Sequence, residues 1–158
     1  FALAQSRNES PFIVVCDSLE DPHNLGAILR SAEAAGVHGV IIPKRNSVTL
    51  NYTVAKTSAG AIEYVPVVKV ANLPAVIDEL KARGVWIFGA DMDGTDYTSL
   101  DYSGSIALVI GSEGKGIGRL VREKCDFIAS MPMRGKINSL NASVAAGILM
   151  FEAAKHRN

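Results

Sequence analysis

Six short apolar runs recur along the chain, at Phe12 to Cys16, Gly39 to Ile42, Tyr64 to Val70, Val85 to Gly89, Ile106 to Gly111 and Phe127 to Met131. Rich in β-branched residues and continuous rather than alternating, they predict strands buried on both faces. Between them the apolar spacing changes to a helical period. The clearest helix opens at Asp21-Pro22, where an N-cap aspartate precedes a proline at the first helical position. It continues as a stripe of Leu25, Ile28, Leu29, Ala32 and Ala35 and stops at Gly36. Further helices are predicted over about Thr49 to Ala61, Leu73 to Arg83, Ile117 to Lys124 and Leu140 to His156. Such strand-helix alternation predicts an α/β domain, a mostly parallel sheet with helices on both faces. Ligands of such sheets sit at the carboxyl ends of strands, which directs attention to the turns after Cys16, Gly89, Gly111 and Met131. Phe1 to Ser10 reads as a linker or frayed end, and 11–158 as one domain without internal repeats.

Composition narrows the class. A chain of 158 residues with 48% hydrophobic and 20% charged positions matches an ordinary globular domain. Its longest apolar runs, such as Ile106 to Ile110, are too short to span a membrane as helices. Cys16 and Cys125 form no close-spaced pair, and His23, His38 and His156 lack metal-ligand spacing, so reduced thiols and no structural metal are expected. No signal-peptide pattern opens the chain, which makes a cytoplasmic protein the expectation. The 16 basic and 16 acidic residues cancel. Nucleic-acid binders usually carry a basic excess, so that function would have to be argued from motifs.

Four segments are chemically suggestive. Asp91-Met92-Asp93-Gly94-Thr95, after an apolar run, resembles the nucleophile loop of haloacid-dehalogenase-type phosphatases. The downstream lysine and second acidic cluster of such a site are missing, and the plainer reading is an acidic turn. Gly111-Ser112-Glu113-Gly114-Lys115-Gly116-Ile117-Gly118 follows a predicted strand and enters a helix. Its four glycines would let backbone amides approach a ligand, though the spacing is neither that of a Walker loop nor that of a dinucleotide fold. By spacing alone it is equally a ligand loop or a plain turn, with Glu113 as the residue a turn does not require. Met131 to Ser143 places Asn138, Ser139, Asn141 and Ser143 before the last helix, more short polar residues than one cap needs. In the first helix Arg30 falls roughly 160° from the apolar stripe, the place of a solvated arginine.

Together and in this order, Asp21-Pro22-His23-Asn24-Leu25-Gly26 through Arg30, Leu108 through Gly116, and Ser139-Leu140-Asn141-Ala142-Ser143 resemble the three signature motifs of the SpoU or TrmH-type RNA ribose 2′-O-methyltransferases of the SPOUT superfamily. The resemblance implies a C-terminal trefoil knot, S-adenosylmethionine as cofactor, and an obligate homodimer. It assigns cofactor contacts to Gly89, Ala90, Gly111, Met131 and Leu140, and active-site positions to Asn24, Arg30, Glu113, Ser139 and Asn141. Within the family the chain looks closest to the RlmB-type enzymes, which methylate a guanosine of 23S ribosomal RNA and carry a small N-terminal RNA-binding domain. A tRNA substrate, a non-catalytic RNA-binding domain and the phosphatase remain as alternatives. Asp91-Met92-Asp93 departs from the family's small-residue cofactor loop. Lys115, Arg119, Arg122 and Lys124, with Lys44 and Arg45, are the candidate phosphate contacts. Arg119 and Arg122 lie one helical turn apart, where they face either one nucleic-acid backbone or solvent.

Overall fold

The computed structural model describes residues 1–44, 51–112 and 115–157. Its six strands are β1 (Phe12–Cys16), β2 (Gly39–Pro43), β3 (Val67–Val70), β4 (Trp86–Asp96), β5 (Ile106–Ile110) and β6 (Phe127–Ser130). All pair in parallel, in the order β3-β2-β1-β5-β4-β6. The helices are α1 (Ala2–Ser6), α2 (Pro22–Ala35), α3 (Tyr52–Thr57), α4 (Leu73–Ala82), α5 (Arg119–Lys124) and α6 (Ala142–Ala154). Among the described residues, no helix is long and apolar enough to cross a membrane.

β1 shows why the apolar runs are continuous. Every residue in it is buried, and the side chains alternate between two cores. Phe12, Val14 and Cys16 pack with Leu25, Ile28 and Leu29 of α2 and Leu149 and Met150 of α6. Ile13 and Val15 pack with Leu73, Ile77 and Leu80 of α4 and Val121 of α5. A strand covered on both faces has no polar side to show, and each such aliphatic side chain contributes about 1.5–3 kcal/mol of burial. The α2 signals are realised as written: the Asp21 carboxylate accepts from the His23 amide, and Gly36 ends the helix at φ 85°. At the strand starts, His38 Nδ1 accepts from the Phe12 amide at 2.9 Å while Nε2 lies 3.2 Å from Glu9 Oε1. The Arg157 guanidinium lies over the Phe12 ring and donates to the carbonyls of Ser10, Tyr102 and Gly104.

Several boundaries differ from the pattern. Phe1 to Ser10 contains α1, with Ala4 1% exposed, rather than linker alone. The helix expected to Ala61 ends at Thr57, because Ala59 and Gly60 take left-handed conformations and a 3-10 turn, Ala61–Glu63, follows; Thr49 and Leu50 lie outside the described residues. β3 starts at Val67 rather than Tyr64, because Pro66 has no N–H for the ladder; its carbonyl instead accepts from Val40. α5 starts at Arg119 rather than Ile117, since Gly118 is extended at φ −62°, ψ 152° and stands as the N-cap, its amide donating to Asp17 Oδ2 at 2.7 Å. α6 begins only after Asn141, its N-cap, and ends at Ala154.

The largest departure is β4, which continues past Gly89 through the supposed acidic turn to Asp96. Its pairing with β6 passes from Ala90–Ala129 to Thr95–Ala129, so 91–94 bulge out of the ladder.

Candidate functional site

A pocket of about 450 Å³ opens beside the bulge of β4, at the carboxyl ends of β5 and β6. One wall is Ala90 to Asp93, within β4 at that bulge; the facing wall is Gly111, Ser112, Lys115 and Gly116, leaving β5. Ser130 at the end of β6, Met131 and Met133 after it, and Asn138, Ser139, Leu140 and Ala142 at the entry to α6 also contribute to the lining. The volume and the mixture of apolar surface with a few polar groups suit a small organic ligand. Of the four segments singled out by the fold class, those after Gly89, Gly111 and Met131 meet here, the first as a bulge within β4 rather than as a turn at its end. The turn after Cys16 does not, and its Asp17 carboxylate serves instead to hold Gly118 at the end of the glycine loop.

The glycines of that loop are there for space. A Cβ on Gly111 would lie 2.2 Å from the Gly116 carbonyl carbon and 2.4 Å from the Ile117 nitrogen, both backbone atoms. Gly116 has φ +66° and would bring a Cβ to 3.0 Å from Asp91 Oδ1 across the pocket. The Ser112 Oγ is buried and has no hydrogen-bond partner among the described residues. A buried hydroxyl on the pocket wall is costly to leave unpaired, and a polar group of a bound ligand would satisfy it.

Of the predicted cofactor contacts, Ala90, Gly111, Met131 and Leu140 line the pocket, as does Ser139 from the active-site set. Gly89 does not. It is buried behind the wall, where a Cβ would meet Cys125 Sγ at 2.7 Å and Ile117 at 2.9 Å, so its role is close packing of β4 against α5. Asn24 is buried in the first turn of α2, and Arg30 is exposed on the same helix; neither lines the pocket. Asn141 is outside the lining too, and its Oδ1 caps α6 by accepting from Ser143 at 2.9 Å and Val144 at 3.4 Å. Glu113 and Gly114 lie outside the described residues.

The lining also includes Asp91, Met92, Asp93, Ser112, Lys115 and Met133. Asp91 and Asp93 had the phosphatase motif as their signal; nothing local in the sequence marks Ser112 or Met133. Asp91 is bound by Arg122, whose Nη1 lies 2.6 Å from its Oδ2, an arrangement suited to holding the segment and unsuited to a free nucleophile. Pairing also changes the reading of the basic cluster. Arg122 faces Asp91, Lys124 Nζ lies 2.9 Å from Asp78, and Arg119 pairs with Glu123 one turn along. Lys115 is the member that reaches the pocket. Arg45 lies outside the described residues.

Comparison with known proteins agrees with these motifs. The model of the SpoU rRNA Methylase family matches residues 11–151. YacO of Bacillus subtilis, a protein named for the TrmH family of tRNA/rRNA methyltransferases, is 55% identical over 159 residues, covering 100% of this chain and 64% of its own length. The SpoU methyltransferase AviRb of Streptomyces viridochromogenes, solved in complex with AdoMet, aligns at TM-score 0.86 and 32% identity over 93% of this chain and 60% of its own. The A. aeolicus TrmH/SpoU tRNA modifying enzyme aligns at 0.84 and 28% identity over 99% of this chain and 84% of its own. The chain thus spans less than two thirds of the length of the Bacillus and Streptomyces proteins.

Proposed function

The chain belongs to the SpoU rRNA Methylase family, and from that premise we propose that it transfers the methyl group of S-adenosylmethionine to a ribose 2′-hydroxyl of RNA. The proposed target is a guanosine of 23S ribosomal RNA. The observation that carries the reading is the convergence of the second and third motifs on one pocket at the ends of β5 and β6, beside the bulge of β4. The residues present fit the cofactor: Met131, Met133 and Leu140 offer apolar surface, the glycine wall allows close approach, and the buried Ser112 hydroxyl, without a partner among the described residues, supplies a polar contact. When bound, the sulfonium supplies an activated methyl group, so the protein's task is chiefly alignment.

The acceptor hydroxyl is a poor nucleophile and has to be oriented. We assign Ser139, on the pocket rim, and the neighbouring Asn141 to holding the ribose, and, on the motif resemblance alone, Glu113 and Asn24 to positioning the hydroxyl. Arg30, exposed and outside the pocket, suits a clamp on the substrate phosphate: its fork matches that anion, and a guanidinium remains protonated at neutral pH. Residues Val144, Ile148 and Phe151, at i, i+4 and i+7 on α6, are exposed on a helix whose other residues Leu149 and Met150 are buried. A helix apolar all round calls for cover on every side, and we assign this stripe to a homodimer contact.

Calorimetry with S-adenosylmethionine and with S-adenosylhomocysteine, in buffer containing a chelator, tests the cofactor; absence of binding refutes it. Transfer of a labelled methyl group to total RNA, followed by mapping of the modified nucleotide in RNA from cells lacking the gene, tests the substrate. A tRNA product would favour the second reading, which rests on the likeness to the A. aeolicus tRNA modifying enzyme. Light scattering at micromolar concentration tests the dimer, and a monomer mass overturns it.

A further inference from the structure

The bulge in β4 presents a problem that a side chain far away in sequence solves. Asp91 to Asp93 belong to one wall of the pocket, yet residues 91–94 fall between the two registers with β6 and cannot be held by ladder hydrogen bonds as the rest of the strand is. Two tethers replace the ladder. Ser130 Oγ donates to the Asp91 carbonyl at 2.6 Å and accepts from the Gly94 amide at 2.7 Å. From the other side Arg122 pairs with Asp91 Oδ2 at 2.6 Å and directs Nη1 and Nη2 at the Met92 carbonyl, each at 3.3 Å. Asp91 Oδ1 in turn accepts from the Met92 amide at 2.8 Å, so the carboxylate is fixed through both oxygens.

Arg122 belongs to α5, the direct continuation of the glycine loop that makes the facing wall. Through its side chain the bulged wall is tied to the helix into which the glycine wall runs. We propose that Arg122 is a positioning residue that sets the separation of the two walls of the S-adenosylmethionine pocket, and that it is not a phosphate contact for RNA. The inference rests on the cofactor reading above. The guanidinium fork is what the task requires, since it reaches a carboxylate and a neighbouring carbonyl at once, which a lysine point charge does not. The pairing also leaves the pocket wall without an uncompensated carboxylate at Asp91.

The test compares wild type with Arg122→Met, Arg122→Lys and Asp91→Asn, with Arg119→Ala, one turn away and exposed, as control. Hydrogen exchange of the Met92 to Thr95 amides is measured in the ligand-free protein, and affinity for S-adenosylmethionine and S-adenosylhomocysteine by calorimetry. Ribosomal RNA binding is titrated with salt. Arg122→Met and Asp91→Asn should speed exchange in that segment selectively and weaken both ligands by about tenfold or more, the scale of a lost charged hydrogen bond. Arg122→Lys should recover part of the affinity, Arg119→Ala should match wild type in exchange and cofactor affinity, and neither the Arg122 changes nor Asp91→Asn should alter the salt slope of RNA binding. Unchanged exchange, or faster exchange with unchanged cofactor affinity, overturns the proposal; so does a reduced salt slope in Arg122→Met with normal cofactor binding. If wild type binds neither ligand, the cofactor reading fails, and exchange in the free protein still decides the tether: retained protection in Arg122→Met refutes it. Should Arg122→Met not fold, Arg122→Lys and Asp91→Asn carry the same comparison.

Discussion

Gly111→Ala adds a single carbon where the backbone leaves no room for it. The new Cβ would lie 2.2 Å from the Gly116 carbonyl carbon, 2.3 Å from its oxygen and 2.4 Å from the Ile117 nitrogen. Carbon atoms settle at about 3.5–4.0 Å, so the two loop segments must part by more than an ångström. No rotamer change can relieve the clash, because every contact is with main chain. Overpacking of this kind costs about 1–3 kcal/mol. β5 is held by ladders to β1 and β4 on either side, so the loop between Ser112 and Gly118 is the part that yields, and that loop is a pocket wall. If the whole cost falls on the ligand-competent conformation, cofactor affinity drops about tenfold to a hundredfold, since about 1.4 kcal/mol is a factor of ten. Calorimetry with S-adenosylhomocysteine and thermal melting measure the two effects separately. Gly135→Ala, with nothing within 4 Å of its Cβ, is the matched control and should be silent. Affinity within twofold of wild type in Gly111→Ala would refute the reasoning.

Three further outcomes are expected. Burial holds His38 below its ordinary value of 6.5 against the upward pull of the Glu9 carboxylate; between the lowered folded value and 6.5 the unfolded chain binds the extra proton, so unfolding free energy is fully present above that range and falls as pH drops through it. Urea melts from pH 8 to pH 5 should show that slope in wild type and less of it in His38→Gln, and equal slopes would sink the assignment. Burial pushes the Cys16 thiol up to about 12, with the Asp17 charge adding, and burial followed by the Asp126 charge pushes Cys125 up to about 11. Both should resist iodoacetamide at pH 8 in the folded protein and react once it is unfolded, and fast labelling of native protein would contradict this. Arg30→Ala should abolish methyl transfer with cofactor affinity unchanged, and Arg30→Lys should fail as well; if lysine restores most activity, the bidentate phosphate clamp is wrong.

What the sequence disclosed followed from how local each feature is. Apolar runs report burial on two faces, and the Asp21 and Gly36 signals act within one helical turn, so β1 and α2 were legible to the residue. The acidic stretch at Asp91 was legible only in part: the chain does turn aside there, with Asp93 at φ 59°, but as a bulge within β4 held by two tethers from Ser130 and Arg122, 39 and 30 residues away. Arg122 itself looked like a solvated or phosphate-facing cation, since periodicity places it on an outer face and says nothing about what lies opposite. Gly118 left its helix for a carboxylate 101 residues earlier. The glycine loop and the asparagine-serine run before α6 were each ambiguous alone, and convergence on one cavity gives both a common use. For Asn141 the plain capping role is present in addition.

The strand order also has a temporal side. β1 sits between β2 and β5, so Phe12 and its neighbours complete their pairing only when Ile106 to Ile110 arrive, and β4 can join the sheet only through β5. At synthesis rates of about 5–20 residues per second, roughly 5–20 s separate those two strands on the ribosome. Throughout that interval Phe12–Cys16, an apolar strand of the centre, presents one open edge. Sheets assembled from such distant partners fold towards the slow end of the range for single domains. The nascent chain therefore passes through a window in which its central strand is its main aggregation hazard, and destabilising changes in β5 would be felt first as poor yield rather than as a lowered melting temperature.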